Sequence, residues 1–148
     1  MKGQKAYAMA KAIHEKMYDT ALGLTSEENR TLYAQYFELI KKAAYLGHME
    51  GLYDMGSQFE DIGYLGIPNP MYNPEKCVYW YTKACQKGHA EACNNLSNFY
   101  ALGKGCKQDF DLALELLKRS AELGSVLGKK NYKMKLQDIG KTGKYLKI

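Results

Sequence analysis

The chain repeats itself. Residues 48–88, HMEGLYDMGSQFEDIGYLGIPNPMYNPEKCVYWYTKACQKG, align with residues 89–124, HAEACNNLSNFYALGKGCKQDFDLALELLKRSAELG. His48 meets His89, Met55 meets Leu96, Phe59 meets Tyr100, Gly66 meets Gly105, Lys83 meets Arg119, Ala84 meets Ser120 and Gly88 meets Gly124. The first copy is the longer, and its excess falls around IPNP. Upstream, Lys42, Ala43, Ala44 and Gly47 match Lys83, Ala84, Cys85 and Gly88 at the same spacing; downstream, Gly128 and Tyr132 match Ala92 and Leu96. A period of this length constrains the fold more than any other feature. A unit that short cannot bury its apolar face alone, so the units must stack into one continuous core.

Each copy reads as two helices. Ala92, Leu96 and Tyr100, four residues apart, share one helical face that points inward. Gly103 and Gly105 break that helix; a second starts near Asp109 as N-cap, buries Leu112, Ala113, Leu116, Leu117 and Ala121, and stops at Gly124. Thr25 and Glu28 form a capping-box pattern ahead of a helix over about 27–46, and Pro74 suits the first turn of another. Gly51, Ala92, Ala43, Ala84 and Ala121 let backbones approach, while Trp80 and Tyr81 fill the space between pairs. The expected organisation is a single domain over 1–148. Its helix pairs cover about 4–46, 48–88 and 89–124, followed by a partial pair at 125–137 and a basic tail at 138–148.

The net charge of +5 raises the question of nucleic acid. However, residues 1–124 carry 14 basic and 15 acidic side chains, and the excess sits in Lys129, Lys130, Lys133, Lys135, Lys141, Lys144 and Lys147. Without a basic stripe among the tyrosines of the repeats, no nucleic-acid partner is expected. No run of eighteen apolar residues would span a membrane. Lys11, His14, Glu15 and Lys16 interrupt the N-terminus where a signal peptide is apolar, so a cytoplasmic location is expected, or a periplasmic or secreted one if a leader has been removed.

The repeated residues resemble the Sel1-like repeat, a relative of the tetratricopeptide repeat. Ala92, Leu96, Tyr100, Gly103, Gly105, Asp109, Ala113, Arg119, Ser120, Ala121 and Gly124 follow its pattern in one copy; Lys76, Trp80, Tyr81, Lys83, Ala84 and Gly88 follow it in the other. Cys106, Cys77, Ser97 and the pair Leu116 and Leu117 depart from it. The resemblance covers roughly residues 27–134. It implies an all-α, right-handed α-solenoid of about three to four antiparallel helix pairs. In such a solenoid the first helices line a concave surface that binds other proteins.

Cys85 and Cys93 have seven residues between them, with His89 midway. Across a turn at Gly88 they can face each other within the roughly 7 Å that a disulfide spans, and secreted, cysteine-rich members of the Sel1 group oxidise such pairs. Reduced, buried thiols stand as the alternative, because the next seam has Ala121 and Lys129 instead. Zinc would need a fourth ligand, and His48 occupies the position of His89 with no cysteine beside it, which points to a helix-start role for both histidines. No metal or cofactor is expected. No nucleophile elbow or other catalytic signature accompanies the cysteines, and no enzymatic activity is expected.

The inward set Ala92, Leu96 and Tyr100 leaves Glu91, Asn94, Asn95 and Asn98 on the outer side of the helix, and Glu50, Tyr53, Asp54 and Ser57 are their equivalents one repeat earlier. This polar, mildly acidic ridge is the expected binding surface for a protein with a basic or hydrogen-bonding face, with Tyr53 as aromatic anchor. Two roles fit such a surface: an interaction module or adaptor, and a dedicated inhibitor or immunity protein that blocks a bacterial toxin by occlusion. An uncapped end after residue 134 would expose apolar surface for homodimerisation.

Overall fold

The computed structural model describes residues 2–19, 22–62 and 67–143. Gly66 and the last residues of the basic tail lie outside them. Among the described residues the regular structure is helical, with seven α-helices and one isolated antiparallel bridge, Ile62 to Pro68. The chain forms two compact units, residues 1–55 and 56–148.

The first unit contains α1 (Gln4–Tyr18), α2 (Ser26–Tyr45) and most of α3 (Met49–Ser57). The Thr25 hydroxyl accepts from Glu28 N at 3.2 Å while Glu28 Oε2 accepts from Thr25 N at 2.8 Å, so both members of the capping box are engaged. Ala43 and Ala44, with Ile40 and Tyr36, form the buried face of α2. Gly51 explains how closely α3 approaches that face: a Cβ there would lie 2.9 Å from the Ala43 Cβ.

The turn into α3 is built the same way as two later ones. His48 N donates to Ala43 O, His89 N to Ala84 O and Ser125 N to Ser120 O, at 3.0, 3.0 and 3.1 Å. In each case the preceding glycine (Gly47, Gly88 or Gly124) supplies a left-handed φ that a side chain would strain. The residue after the glycine then caps the next helix. His48 Nδ1 accepts from Gly51 N at 3.3 Å, His89 Nδ1 from Ala92 N at 3.1 Å and Ser125 Oγ from Gly128 N at 2.9 Å. The paired histidines are therefore helix caps.

His48 carries a pH consequence. Its Nε2 is 2.9 Å from Gln4 Oε1, so Nε2–H donates there, Nδ1 accepts from Gly51, and the ring is fixed neutral. Burial holds its pKa below the ordinary value, against the opposing pull of Glu50. The unfolded chain therefore takes up the proton first: this stabilisation is complete above about pH 6.5 and is lost as pH falls from there toward the folded value. His48→Asn, which keeps a capping oxygen, is expected to flatten the acid-side slope of the denaturation midpoint between about pH 7 and 5. An unchanged slope in thermal melts would assign the acid sensitivity elsewhere.

The second unit holds α4 (Pro74–Gln86), α5 (Ala90–Leu102), α6 (Phe110–Glu122) and α7 (Val126–Thr142), each packed on the next. Asn73, His89, Asp109 and Ser125 cap them in turn. Trp80, Tyr81, Cys77, Ala84, Ala92, Leu96 and Phe99 form the core, joined by Ala113 and Leu117 of α6. Leu112, Leu116, Ala121 and Tyr100 are only half-buried, and Tyr79 stands 52% exposed, edge-on to Trp80. α7 continues to Thr142, past residue 137, where the sequence reading began the tail. Its lysines are good helix formers on a largely exposed helix, whose one buried residue is Gly128.

Candidate protein-binding surface

The loop between α3 and α4 forms one wall of a concave site. Asn69 ties it together: Nδ2 donates to Gln58 O at 2.8 Å and Glu60 O at 2.9 Å, Oδ1 accepts from Met71 N, and Asn69 N donates to Asp61 O. Glu60 is fixed further by Tyr81, whose hydroxyl donates to Glu60 Oε1 at 2.6 Å. Against this wall, the C-terminal turns of α5 complete a groove of about 240 Å³. Glu60, Asp61, Asn95 and Asn98 supply its polar lining, and Tyr72, Phe99 and Leu102 its apolar part, with Lys104 at one side.

The expected ridge divides on inspection. Asn95 and Asn98 line the groove, and Glu91 is half-exposed in the first turn of α5. Asn94 is not on the outer side where the sequence reading placed it. It is 2% exposed, and its Oδ1 accepts from Asn131 Nδ2 on α7 at 2.9 Å, because α7 covers that side of α5. Glu50, Tyr53 and Asp54 belong to the first unit, and all three are half-buried. Asp54 accepts a hydrogen bond from the Tyr7 hydroxyl. Ser57 closes α3, also half-buried. Sequence reasoning missed Glu60, Asp61 and Tyr72, since the longer loop of the first copy has no counterpart to align with. The Asn69 and Asn73 flanks were the available signal for an ordered turn.

The cysteine cluster is a seam. Cys85 and Cys93 form a disulfide from α4 to α5, with Cα atoms 4.8 Å apart. The two sulfurs are spent on each other and His89 Nδ1 on its cap, so the trio weighed as zinc ligands is engaged in the turn. Cys77 and Cys106 are free thiols. Burial, reinforced by Glu60 and Asp61, pushes Cys77 up to about 12, and burial also raises Cys106, so neither is held as a reactive thiolate. Among the described residues no helix is long and apolar enough to cross a membrane.

Three solved structures share this fold. A Sel1 repeat protein from Oxalobacter formigenes matches with a TM-score of 0.63 at 24% identity, over 87% of this chain and 33% of that one. Cysteine-rich protein B of Helicobacter pylori matches with 0.59 at 21% identity, over 86% and 92%. A protective antigen of uropathogenic Escherichia coli displaying an SLR fold matches with 0.61 at 25% identity, over 88% and 27%. The chain thus spans about a third of the first of these and nearly all of the second. Their common architecture is the helical solenoid, and this chain shares that fold class. The pattern described as Sel1 repeat matches residues 50–89 and 90–125, the segments bounded by the glycine–histidine and glycine–serine turns. Repeats of this kind generally mediate protein–protein interaction. With both copies matched in tandem, the chain belongs to the Sel1 repeat family.

Proposed function

We propose that the chain is a non-enzymatic module that holds a protein partner at the groove beside the end of α5. Glu60, Asp61, Asn95 and Asn98 read basic and hydrogen-bonding groups of that partner, and Phe99, Leu102 and Tyr72 take its apolar surface. One observation carries this reading: two carboxylates and two carboxamides converge around an apolar wall in a cleft of about 240 Å³. A space of that size suits one or two side chains of a larger surface rather than a whole small-molecule substrate. The asparagines support it too, being poor helix formers that stability alone would not select for the middle turns of α5.

The test pairs capture with thermodynamics. Wild-type chain and an Asn95→Ala/Asn98→Ala variant serve as baits, and the protein retained by the wild type is then titrated into both. We expect affinity to fall about tenfold or more in the variant, as for central interface residues, with the melting temperature unchanged. Equal affinity would remove the groove from the binding surface.

A further inference from the structure

One contact between helices of the second unit has an open counterpart in the first. In the second unit the end of α4 reaches α6: Arg119 Nη2 donates to Gln86 O at 3.3 Å, and a Cβ on Gly88 would lie 3.8 Å from Leu123 Cδ2. Gln86 closes α4, so its carbonyl is one of the four that a helix leaves without an internal partner. Arg119 stands in the last turn of α6 as Lys42 stands in the last turn of α2, each five residues before a left-handed glycine, Gly124 or Gly47. By the same count Leu46 corresponds to Leu123 and Leu39 to Leu116. In the first unit Leu39, Lys42 and Leu46 border a groove of about 430 Å³ instead of a helix end.

The start of α1 forms the other wall, with Lys5, Ala6 and Met9. Ala6 is the third residue past the N-cap Gly3. That is where Gly51, three past His48, lies against Ala43 of the preceding helix, and Gly128, three past Ser125, against Ser120. A small residue thus stands in α1 where the later helices seat the one before them, and beside it Met9 is left 50% exposed.

The rim is cationic. Residues 2–12 contain no acid, and Glu38, the one acid within a turn of Lys42 along α2, is held by Lys41 at 3.7 Å. Among the described residues no ion pair engages Lys5 or Lys42. A helix N-terminus would be repelled here, whereas a C-terminus brings the negative end of its dipole and enough free carbonyls for both ammonium groups. A second copy fits poorly, because α1, α2, α4, α6 and α7 all carry a basic residue in their last turn. Being in one chain with α6 offsets that repulsion for α4, and a separate copy has no such help.

We propose that the groove between the start of α1 and the end of α2 receives the C-terminal turn of a helix from a protein partner. Its free carbonyls accept from Lys42 and Lys5, and its last apolar side chains lie on Met9, Leu39 and Leu46. The proposal rests on the protein-binding reading but uses none of the residues of the α5 groove.

Its test is a solution NMR titration of the full chain. The probe is an amidated, lactam-bridged alanine–leucine helix of about 15 residues with glutamates in its first turn only. Two controls accompany it, one with lysines in the last turn and one of the same composition broken by a central proline. The Met9, Leu39 and Leu46 methyl signals are expected to shift saturably with the probe, with half-saturation of about 0.1–1 mM, weakening as salt is added. The lysine-ended helix should bind several-fold more weakly and the proline peptide not at all. Lys5→Gln/Lys42→Gln, at exposed positions, should cut affinity at least about threefold with the melting temperature unchanged, whereas Asn95→Ala/Asn98→Ala should leave it intact. Shifts that do not saturate, or that survive the double lysine variant, would overturn the site. Equal binding of the proline peptide would overturn its assignment to a helix end. The same methyl shifts appearing on concentrating the chain alone, with a dimer in sedimentation, would give the groove to a second copy and overturn the partner. Loss of the captured partner in the Asn95→Ala/Asn98→Ala variant beside a silent titration refutes this proposal alone, and the reverse pattern refutes the α5 groove alone.

Discussion

Tyr81→Ala is expected to lower the unfolding free energy by about 3–5 kcal/mol, the largest loss for any single side chain of the second unit. The ring is 0% exposed and fills the space between Gly56 and Phe99 within the second unit. Its near edge lies against Gly56, where a Cβ would come within 2.6 Å of it, and Phe99 is tilted against it at 6.1 Å between centroids. Truncation removes that packing and strands Glu60, whose Oε1 accepts from the Tyr81 hydroxyl. Two further variants separate the contributions. Tyr81→Phe keeps the ring and should cost only about 1–2 kcal/mol, because half-exposed Glu60 can turn to water. Gly56→Ala keeps the hydroxyl and should cost about 1–3 kcal/mol by overpacking. Urea unfolding followed by circular dichroism reads all three. A loss under about 1 kcal/mol for Tyr81→Ala would mean that the ring does not fill the core. Tyr81→Phe should also weaken the captured partner, since it frees one wall of the groove.

Much of this core is legible from spacing alone. Ala43 with Gly51, and Ser120 with Gly128, are close pairs recurring at the repeat interval, and the structure puts them in contact because only small residues let the helices meet there. His48 and His89 align for the same reason: each follows a left-handed glycine and must cap a helix. Asn94 shows where helical periodicity stops being informative. Its place on the α5 wheel leaves it outside the inward stripe, yet α7 packs over it and Asn131 completes its hydrogen bonding. Periodicity sees one buried stripe, whereas a helix inside a stack has a neighbour on each side. The groove was legible only in part for a different reason. Asn95 and Asn98 lie on a helix, but Glu60 and Asp61 are placed by the Asn69 bonds of a loop that only one copy possesses.

Removing the α4–α5 disulfide tests the seam itself. Cys85 and Cys93 are eight positions apart and close a loop of about nine residues, for which chain entropy predicts about 2.5 kcal/mol of stabilisation. Cys85→Ser/Cys93→Ser is therefore expected to unfold at lower urea than the oxidised wild type, and added dithiothreitol should bring the wild type down to the variant while leaving the variant unmoved. The native turn should survive in both, because Gly88, the His89 N to Ala84 O bond and the His89 cap hold it without sulfur. Alkylation of the denatured, unreduced chain gives the direct reading. Only Cys77 and Cys106 should be labelled, and modification of Cys85 and Cys93 as well would remove the bridge from the fold. Because the bridge fixes the first turn of α5, and Asn95 and Asn98 sit on its next turns, partner affinity should drop on reduction only if the start of that helix loosens. An affinity insensitive to dithiothreitol, with stability lowered as predicted, would show that the cap alone holds the groove in place.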